Sequence, residues 1–314
     1  MEKVDVIIPV YKPTKKFVRL LKMLSKQTVK PDKIIVINTE QKYFDKFFYG
    51  TALLEKYDNL IVKHISRYEF DHGATRRMGV SISQNPYFIC MTDDAVPMDI
   101  YLIENLIKPL VEGKAASSFA RQCVSDKCSD VERFTRKFNY PEESFYKSKK
   151  DIKKLGIKTY FCSNVCAAYS RKVYDELGGF EKSTIFNEDM IYAASVIKAG
   201  YSIYYSSEAQ VLHHHNYNNI QQLRRNFDLG VSQAKHPEVF DDVPSTTEGK
   251  RMVRETTKYL KSKGKSGRIL SMYVTSGYKY IGYQLGKHYK LLPKWLIKKV
   301  TMNQVYWDKI DGEI

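Results

Sequence analysis

Long apolar runs, a regular cysteine pattern and a glycine-rich phosphate loop are all missing from this sequence. The longest apolar runs, such as Val6-Ile7-Ile8, fall far short of the ~20 residues that a membrane-spanning helix needs. The five cysteines are odd in number and none are spaced C-x-x-C, so we expect reduced thiols, not a disulfide framework. Neither a Walker loop nor a G-x-G-x-x-G fingerprint occurs, which disfavours nucleotide hydrolases and dehydrogenases. The first residues lack a signal-peptide pattern, and we expect a cytoplasmic protein.

The chain has 314 residues, 43% hydrophobic and 13% aromatic, so it can bury a substantial core. Its formal net charge of +16 is uneven, because residues 249–300 contain 14 lysines and arginines and one acidic residue, Glu255. We therefore expect a catalytic domain over residues 1–235 and a basic helical extension over residues 236–314. The extension suits a polyanionic surface such as the cytoplasmic leaflet of a membrane, and nucleic acid also fits the charge.

Apolar, β-branched segments alternate with helical patterns along the first hundred residues. Buried strands are predicted at 4–10, 34–37, 60–65 and 87–91. One face of a helix is predicted by the spacing of Phe17, Leu20, Leu21 and Leu24. This alternation predicts an α/β fold with a doubly wound, mostly parallel sheet. Residues 123–157, by contrast, are polar with little periodicity and predict a loop.

Polar or turn-forming residues follow each predicted strand, at 11–13, 38–40, 66–73 and 92–94. Ligands of such sheets bind beyond the carboxyl ends of the strands. We therefore expect these four loops to lie on one rim and to form one site.

The acidic stretch Thr92-Asp93-Asp94 has no basic residue nearby in sequence. Two adjacent carboxylates repel each other and need a cation or solvent to offset their charge. One interpretation is a divalent ion that bridges diphosphate oxygens. The other is capping of a helix near Asp99 or simple solvation, and these residues alone do not separate the two.

Two further stretches carry groups suited to catalysis. An imidazole from His213-His214-His215 can complete a metal site, with a surface histidine run as the alternative. Asn187-Glu188-Asp189 opens a predicted helix, where the helix dipole favours acids. One of its carboxylates can also act as a general base toward a hydroxyl.

Residues 71–77 combine a turn, a helix start and the guanidinium groups of Arg76 and Arg77. This combination suits a diphosphate or a nucleotide. Solvated arginines on an exposed helix are the alternative.

Taken in order, these segments resemble the inverting family 2 glycosyltransferases, which have the GT-A fold. The resemblance covers roughly residues 3–235 and rests on VDVIIPVYKP, KIIVINTE, HGATRRMG, YFICMTDDAVP, FCSNVCAAYSRKVYDELGGFEKSTIFNEDM and VLHHHNY. Within the family, HGATRR, TDDAVP and HHHNY followed by RRNFDLG most resemble bacterial rhamnosyltransferases of polysaccharide assembly, which use dTDP-L-rhamnose.

The resemblance implies roles for individual residues. Its D-x-D motif falls on Thr92-Asp93-Asp94 with threonine first, so Asp94 is the implied metal ligand, with His213 or His215 as its partner. The catalytic aspartate of its E-D motif matches Asp189. The implied donor contacts are Pro9, Tyr11, Asn38, Glu40, Gly73, Arg76, Arg77, Asp93 and Arg225. The implied acceptor contacts are Asn164 and Glu188.

The implied reaction transfers L-rhamnose from dTDP-L-rhamnose to a lipid-linked saccharide in cell-surface polysaccharide synthesis, with inversion and with Mn²⁺ or Mg²⁺ as cofactor. Asp189 takes the acceptor proton, while the metal and arginines stabilise the departing diphosphate. The alternatives are another donor such as a UDP-sugar, and a sugar nucleotidyltransferase. The latter should carry a glycine-rich basic loop where residues 11–13 stand.

Apolar and basic side chains are mixed along the tail, as in Leu291-Leu292-Pro293-Lys294-Trp295. Such a tail can lie on the inner face of the cell membrane and bring the site to a lipid-linked acceptor. A basic helical subdomain packed on the catalytic domain is the alternative. A nucleic-acid binder would leave the acidic rim and histidines without a role, so we expect no nucleic-acid partner.

Overall fold

The computed structural model describes residues 2–125, 128–215, 217–243 and 245–312. The strands are β1 (Val4–Tyr11), β2 (Ile34–Thr39), β3 (Leu60–Ile65), β4 (Tyr87–Met91), β5 (Val96–Pro97), β6 (Ser117–Cys123), β7 (Phe145–Lys147), β8 (Cys166–Ser170) and β9 (Ile203–Leu212). The helices are α1 (Lys15–Leu24), α2 (Gln41–Phe48), α3 (His72–Ile82), α4 (Leu102–Val111), α5 (Asp130–Asn139), α6 (Ile152–Leu155), α7 (Arg171–Glu176), α8 (Glu188–Lys198), α9 (Asn219–Lys235), α10 (Pro237–Phe240), α11 (Ser245–Ser262), α12 (Ile269–Lys287), α13 (Lys294–Val300) and α14 (Gln304–Asp311).

The strands form one sheet in the order β3-β2-β1-β4-β8-β6-β9-β5, with β7 paired to β9. β3, β2, β1 and β4 are parallel neighbours, and β6 and β9 are parallel to each other. β8 runs antiparallel to both β4 and β6, so β6 and β9 point the same way as the first four strands. Among the described residues, six strands thus share one direction, and the predicted α/β, mostly parallel sheet is confirmed.

The antiparallel strand β8 decides which loops meet. Met91, the last residue of β4, is paired with Cys166, the first residue of β8. The residues just before β8 therefore lie at the same sheet edge as those just after β4, β6 and β9. A strand of opposite direction adds its amino-terminal loop to this carboxyl edge.

The sheet is buried because both of its faces are covered, which explains the continuous apolar runs of β1 and β2. On α1, the predicted face of Phe17, Leu20, Leu21 and Leu24 is fully buried in the core. Each such side chain contributes about 1.5–3 kcal/mol relative to exposure. The hydroxyl of Thr14 caps this helix by accepting from the backbone N–H of Lys16.

The chain divides into two compact units. The first, residues 1–123, 140–183 and 188–213, contains the whole sheet. The second, residues 124–139, 184–187 and 214–314, is helical. Because α9 packs in the second unit, this division differs from the domain boundary expected at residue 235, which stays a prediction.

The prediction of a loop over residues 123–157 is wrong. The described part of this segment contains α5, β7 and α6. α5 packs in the second unit, where Phe134 stacks on Tyr259 of α11 at 4.6 Å and Asp130 binds Lys265 at 2.7 Å. These partners lie more than 100 residues away in the chain, which is why local periodicity gives no sign of the helix.

Glycines allow α9 and α12 to cross closely in the second unit. A Cβ at Gly282 would lie 2.1 Å from the carbonyl oxygen of Leu223, and one at Gly230 would lie 2.3 Å from the carbonyl oxygen of Tyr283. A Cβ at Gly277, in the same helix as Gly282, would meet nothing within 4 Å. Over the described ranges, no helix of either unit has the length and apolarity to cross a bilayer.

This difference within one helix gives a matched pair of variants. Gly282→Ala should destabilise the second unit by about 1–3 kcal/mol, because the backbone of α9 must move away. Gly277→Ala should stabilise it by up to ~1 kcal/mol through helix propensity. Urea unfolding followed by circular dichroism measures both. Equal effects of the two substitutions would contradict the described helix crossing.

Candidate active site

The turn after β4 is fixed by backbone hydrogen bonds. The N–H of Thr92 donates to the carbonyl of Val165 at 3.1 Å, and the N–H of Ala95 closes the turn on the carbonyl of Thr92 at 3.1 Å. Thr92-Asp93-Asp94 is thereby joined to the segment before β8.

Asp94 lies beside a histidine at the end of β9. Its Oδ1 is 3.4 Å from Nε2 of His213, and the side chain of His213 is only 6% exposed. The other ring nitrogen, Nδ1, is 3.0 Å from Oε1 of Gln122. The amide nitrogen of Gln122 donates to the hydroxyl of Ser163 at 3.0 Å. Since that bond turns Oε1 toward the ring, Nδ1 carries the proton in neutral His213.

Neutral His213 therefore directs the lone pair of Nε2 at the carboxylate of Asp94. Two acceptors at 3.4 Å need a shared proton or cation between them. An imidazole held by a polar second partner and set beside a carboxylate is a donor set that divalent metals use. Asp94 and His213 fit a divalent ion.

Lys16 is the basic neighbour that the local sequence of the acidic stretch lacks. Its Nζ lies 3.4 Å from Oδ2 of Asp94, and the side chain is about half exposed. Burial, and then the charge of Asp94, raise the pKa of Asp93 to about 7. Lys16, bound to the opposite oxygen of Asp94 from the one that faces His213, offsets part of the negative charge of the two carboxylates.

Asp189 lies at the start of α8 and is held by backbone donors. Its Oδ2 accepts from the N–H of Asn164 at 2.9 Å, and its Oδ1 accepts from the N–H of Met190 at 2.8 Å. Burial, and then the charge of Glu188, raise the pKa of Asp189 to about 7 despite these bonds. A carboxylate of this basicity suits a general base at neutral pH.

Glu188 is bound by a buried arginine. Oε1 of Glu188 lies 3.1 Å from the guanidinium of Arg76, and both side chains are 7% exposed. The side-chain amide of Asn164 also donates to Glu188 at 3.0 Å. Burial opposes the charge on Glu188, but Arg76, helped by His72 and Asn164, outweighs it and lowers the pKa of Glu188 below its usual value. Glu188 thus stays ionised beside Asp189.

Asn164 connects these groups. Its backbone binds Asp189, its amide nitrogen binds Glu188, and its amide oxygen accepts from the hydroxyl of Tyr169 at 2.7 Å. Ser163, the preceding residue, binds the glutamine that holds His213. Two consecutive residues therefore couple the possible metal ligands to the possible base.

Several predicted donor contacts have protein partners of their own. Arg77 donates to the carbonyls of Gly178 and Phe180, and the N–H of Gly73 donates to Asp71 at 2.8 Å. With the Arg76–Glu188 ion pair, these contacts tie α3 to the loops around it. The predicted ligand contacts of Gly73, Arg76, Arg77, Asn164 and Glu188 stay predictions.

The predicted base pocket lies at the ends of β1 and β2. Tyr11 is 42% exposed, and its ring meets Tyr43 edge-on at 5.8 Å. Asn38 is fully buried and bound to His64 at 2.9 Å, because β2 continues to Thr39 where the sequence suggested a loop. Glu40 has a φ of 65° and accepts from the N–H of Arg67 at 3.0 Å.

Pro9 lies within β1, paired with Ile37. Its predicted role, like those of Tyr11, Asn38, Glu40 and Asp93, stays a prediction.

Two predicted residues belong to the second unit. The guanidinium of Arg225 lies over Phe186 at 4.7 Å, and His215 stacks on Tyr217 at 5.1 Å. Their roles as diphosphate and metal contacts stay predictions.

Sequence reasoning missed Lys16, Gln122 and Ser163. Each acts on a partner at least 41 residues away, so no local pattern marks them.

Comparisons with known proteins show the family of this chain. Residues 5–178 match the family described as Glycosyl transferase family 2. The O-antigen chain rhamnosyltransferase RfbN of Salmonella typhimurium (strain LT2) is 36% identical over 310 residues, covering 98% of this chain and 97% of the relative. The O-antigen chain rhamnosyltransferase WbaN of Salmonella anatum is 35% identical over 313 residues, covering 99% and 97%.

Solved structures share the fold at low identity. A mannosyltransferase of Pyrobaculum calidifontis, in complex with GDP-Man and Mn²⁺, matches with a TM-score of 0.56 and 13% identity over 99% of this chain and 86% of that one. TarS of S. aureus (residues 1–349), in complex with UDP-GlcNAc, matches with a TM-score of 0.50 and 13% identity over 92% of this chain and 91% of that one. With the family match over residues 5–178 and two full-length relatives above 30% identity, this chain belongs to glycosyl transferase family 2 and is a glycosyltransferase of the GT-A fold.

Proposed function

We propose that this enzyme transfers L-rhamnose from dTDP-L-rhamnose to a lipid-linked saccharide during the assembly of a cell-surface polysaccharide, with inversion. The observation that carries the proposal is the arrangement of Asp189 and the Asp94–His213 pair. Asp189 has a raised pKa and is bound by Asn164, and the adjacent Ser163 binds the glutamine that holds His213. Full-length similarity to two O-antigen chain rhamnosyltransferases supports the choice of sugar and of pathway.

In the proposed reaction, Asp189 accepts the proton of an acceptor hydroxyl. The hydroxyl oxygen forms a bond to the anomeric carbon, and the bond from that carbon to the diphosphate oxygen breaks on the opposite side. dTDP leaves with the bonding electron pair, and configuration at the carbon inverts. Asn164 holds Asp189 in place through its backbone N–H, and Glu188, kept ionised by Arg76, helps to keep Asp189 basic.

The proposed cofactor is Mn²⁺ or Mg²⁺, held by Asp94 and His213. His215, two residues further along the chain, is proposed as a third ligand. When bound, the ion offsets negative charge on the departing diphosphate. Support comes from the paired acceptors of Asp94 and His213 and from the Mn²⁺ complex of the archaeal mannosyltransferase.

We also propose that the protein is peripheral on the inner face of the membrane through its basic extension, residues 236–314. Large apolar side chains are exposed there, among them Leu270 at 75%, Leu291 at 82% and Trp295 at 67%. Apolar side chains next to lysines and arginines suit an anionic lipid surface. The family match gives no support to the alternative of a sugar nucleotidyltransferase.

The donor is tested by comparing nucleotide sugars. dTDP-L-rhamnose with Mn²⁺ should raise the melting temperature more than UDP- or GDP-sugars at equal concentration, because ligands stabilise the state they bind. Slow release of dTDP from the same donor should accompany the shift. A larger shift and hydrolysis with a UDP-sugar would instead identify the alternative donor.

The base is tested by pH dependence. Since burial and Glu188 raise the pKa of Asp189 to about 7, protonation removes the base below this pH. We expect kcat/KM to fall about tenfold per pH unit below pH ~7 and to level off above it.

Asp189→Asn should lower kcat by about 10²–10⁴-fold and leave donor affinity nearly unchanged. Asp45→Asn, an exposed acid of α2, serves as control, and an unaltered kcat in Asp189→Asn would refute the assignment.

The metal site is tested through the glutamine behind it. Gln122→Leu removes the acceptor that sets the tautomer of His213 and should weaken Mn²⁺ binding about 10–100-fold without donor present. Electron paramagnetic resonance of free Mn²⁺ measures this affinity. Asp94→Asn should abolish binding, and the exposed Gln84→Leu should change nothing. Mn²⁺ binding by Gln122→Leu equal to that of the wild type would contradict the proposed site.

A further inference from the structure

A groove of about 730 Å³ lies within the second unit, between α9, α11 and α12. Its volume is in the range of small-molecule sites, which is about 300–1,000 Å³. The two long helices beside it contain 18 and 19 residues, so each spans about 27–29 Å at 1.5 Å per residue. The groove lies outside the set of residues proposed for transfer.

The groove is apolar inside. Its walls include Leu229, Met252, Val253, Tyr273, Tyr280 and Tyr283. Tyr273 and Tyr280 are 49% and 55% exposed, so their rings present apolar surface at the groove. Few polar atoms face the space, so it does not suit a sugar or a nucleobase, which need hydrogen-bonding partners.

The border of the groove is cationic. Its basic residues are Lys250, Arg254, Lys258, Lys261 and Lys279. Of the described residues that line the groove, none is acidic. Glu255 nearby binds Arg254 and Lys258 at 3.1 and 3.2 Å and offsets only part of this charge. Partial burial lowers the pKa of Lys279, so an anion beside it would find a desolvated partner.

Two glycines keep the groove open. Gly249 of α11 and Gly277 of α12 both line it, and a Cβ at either would meet nothing within 4 Å. Glycine in a helix interior costs up to ~1 kcal/mol relative to alanine. At Gly230, Gly282 and Gly286 close packing requires glycine, because a Cβ would strike the backbone of the facing helix. Close packing does not explain glycine at 249 and 277, whereas a ligand in the groove would explain it.

We propose that this groove binds one anionic membrane lipid, with its hydrocarbon chain along the tyrosine-lined floor and its phosphate among the lysines. A neutral lipid would leave the net positive charge of the border unneutralised, and a free phosphate would leave the apolar walls exposed. A lipid with a hydrocarbon chain and a phosphate would cover the apolar walls and neutralise the positive border. The proposal rests on the proposed membrane association of residues 236–314 and deepens it by naming one lipid site, but it depends neither on the sugar transferred nor on the metal.

The proposal is tested with soluble probes and the full chain. Dodecyl phosphate, below its micelle concentration, has the required chain and charge. Dodecyl maltoside has the chain without the charge, and inorganic phosphate has the charge without the chain. By isothermal titration, dodecyl phosphate should bind at least about tenfold more tightly than either, which corresponds to about 1.4 kcal/mol. Equal binding of dodecyl maltoside would overturn the proposal in favour of a nonspecific apolar surface.

Two pairs of variants locate the binding. A Cβ at Gly277 meets nothing within 4 Å, so Gly277→Leu places a side chain in the groove and should weaken dodecyl phosphate binding about tenfold or more. Gly267→Leu, where a Cβ is also in open space but outside the groove, should not. Lys258→Gln with Lys261→Gln should weaken binding. Lys153→Gln with Lys154→Gln, exposed on α6, removes the same charge and should not. Unchanged melting curves show that each variant folds.

Vesicles test whether the lipid is one of the bilayer. The wild type should co-sediment with phosphatidylglycerol vesicles and not with phosphatidylcholine vesicles. Gly277→Leu, which alters no charge, should reduce co-sedimentation, and Gly267→Leu should not. Full vesicle binding by Gly277→Leu would overturn the proposal and leave only general electrostatic attraction. Sedimentation velocity tests whether the groove binds a second copy of the chain instead. A wild-type dimer that Gly277→Leu dissociates would also overturn the lipid proposal.

Discussion

The accumulation of acceptors at one edge of the sheet is the constraint on which the first unit depends. Asp93, Asp94, Glu188 and Asp189 all lie there, and burial together with their mutual repulsion raises the pKa of Asp93 and Asp189 to about 7. Arg76 neutralises Glu188 from inside the protein. Burial of this arginine is costly, and its attraction to Glu188 offsets part of that cost. Lys16 lies beside Asp94, and the proposed divalent ion would offset more of the negative charge at this edge.

The sheet could be predicted from sequence because its signal is local. The runs of β1 to β4 are continuous and apolar, as strands covered on both faces must be, and α1 repeats its apolar face at helical spacing. The order of the motifs along the sequence identified Asp94, His213 and Asp189 as candidate site residues. The residues that support them could not be found in this way, since Lys16 meets Asp94 only when β1 and β4 pair, and Gln122 and Ser163 meet only when β6 and β8 pair. Helix α5 was missed for the same reason, because it packs on α11, which is distant in the sequence.

The two units use different means of close packing. In the first, side chains fill the space between helices and sheet, and Gly79 allows α3 to approach Ile7 of β1. In the second, α9 and α12 touch through their backbones at Gly230, Gly282 and Gly286, and a small core around Phe227 and Trp307 holds the rest. Tyr273 and Tyr280 of α12 stay about half exposed at the groove.

The parallel pairing of β6 with β9 has a consequence for how the protein forms. Asp94 and His213 are 119 positions apart, and they meet only after β9 has joined β6. Parallel pairing between distant segments is slow, because the closure of a long loop must precede the contacts that stabilise it. The groups that would hold a cation therefore come together only through this slow pairing. A nascent chain gains the capability only once residues 203–213 have been synthesised and β9 has paired with β6.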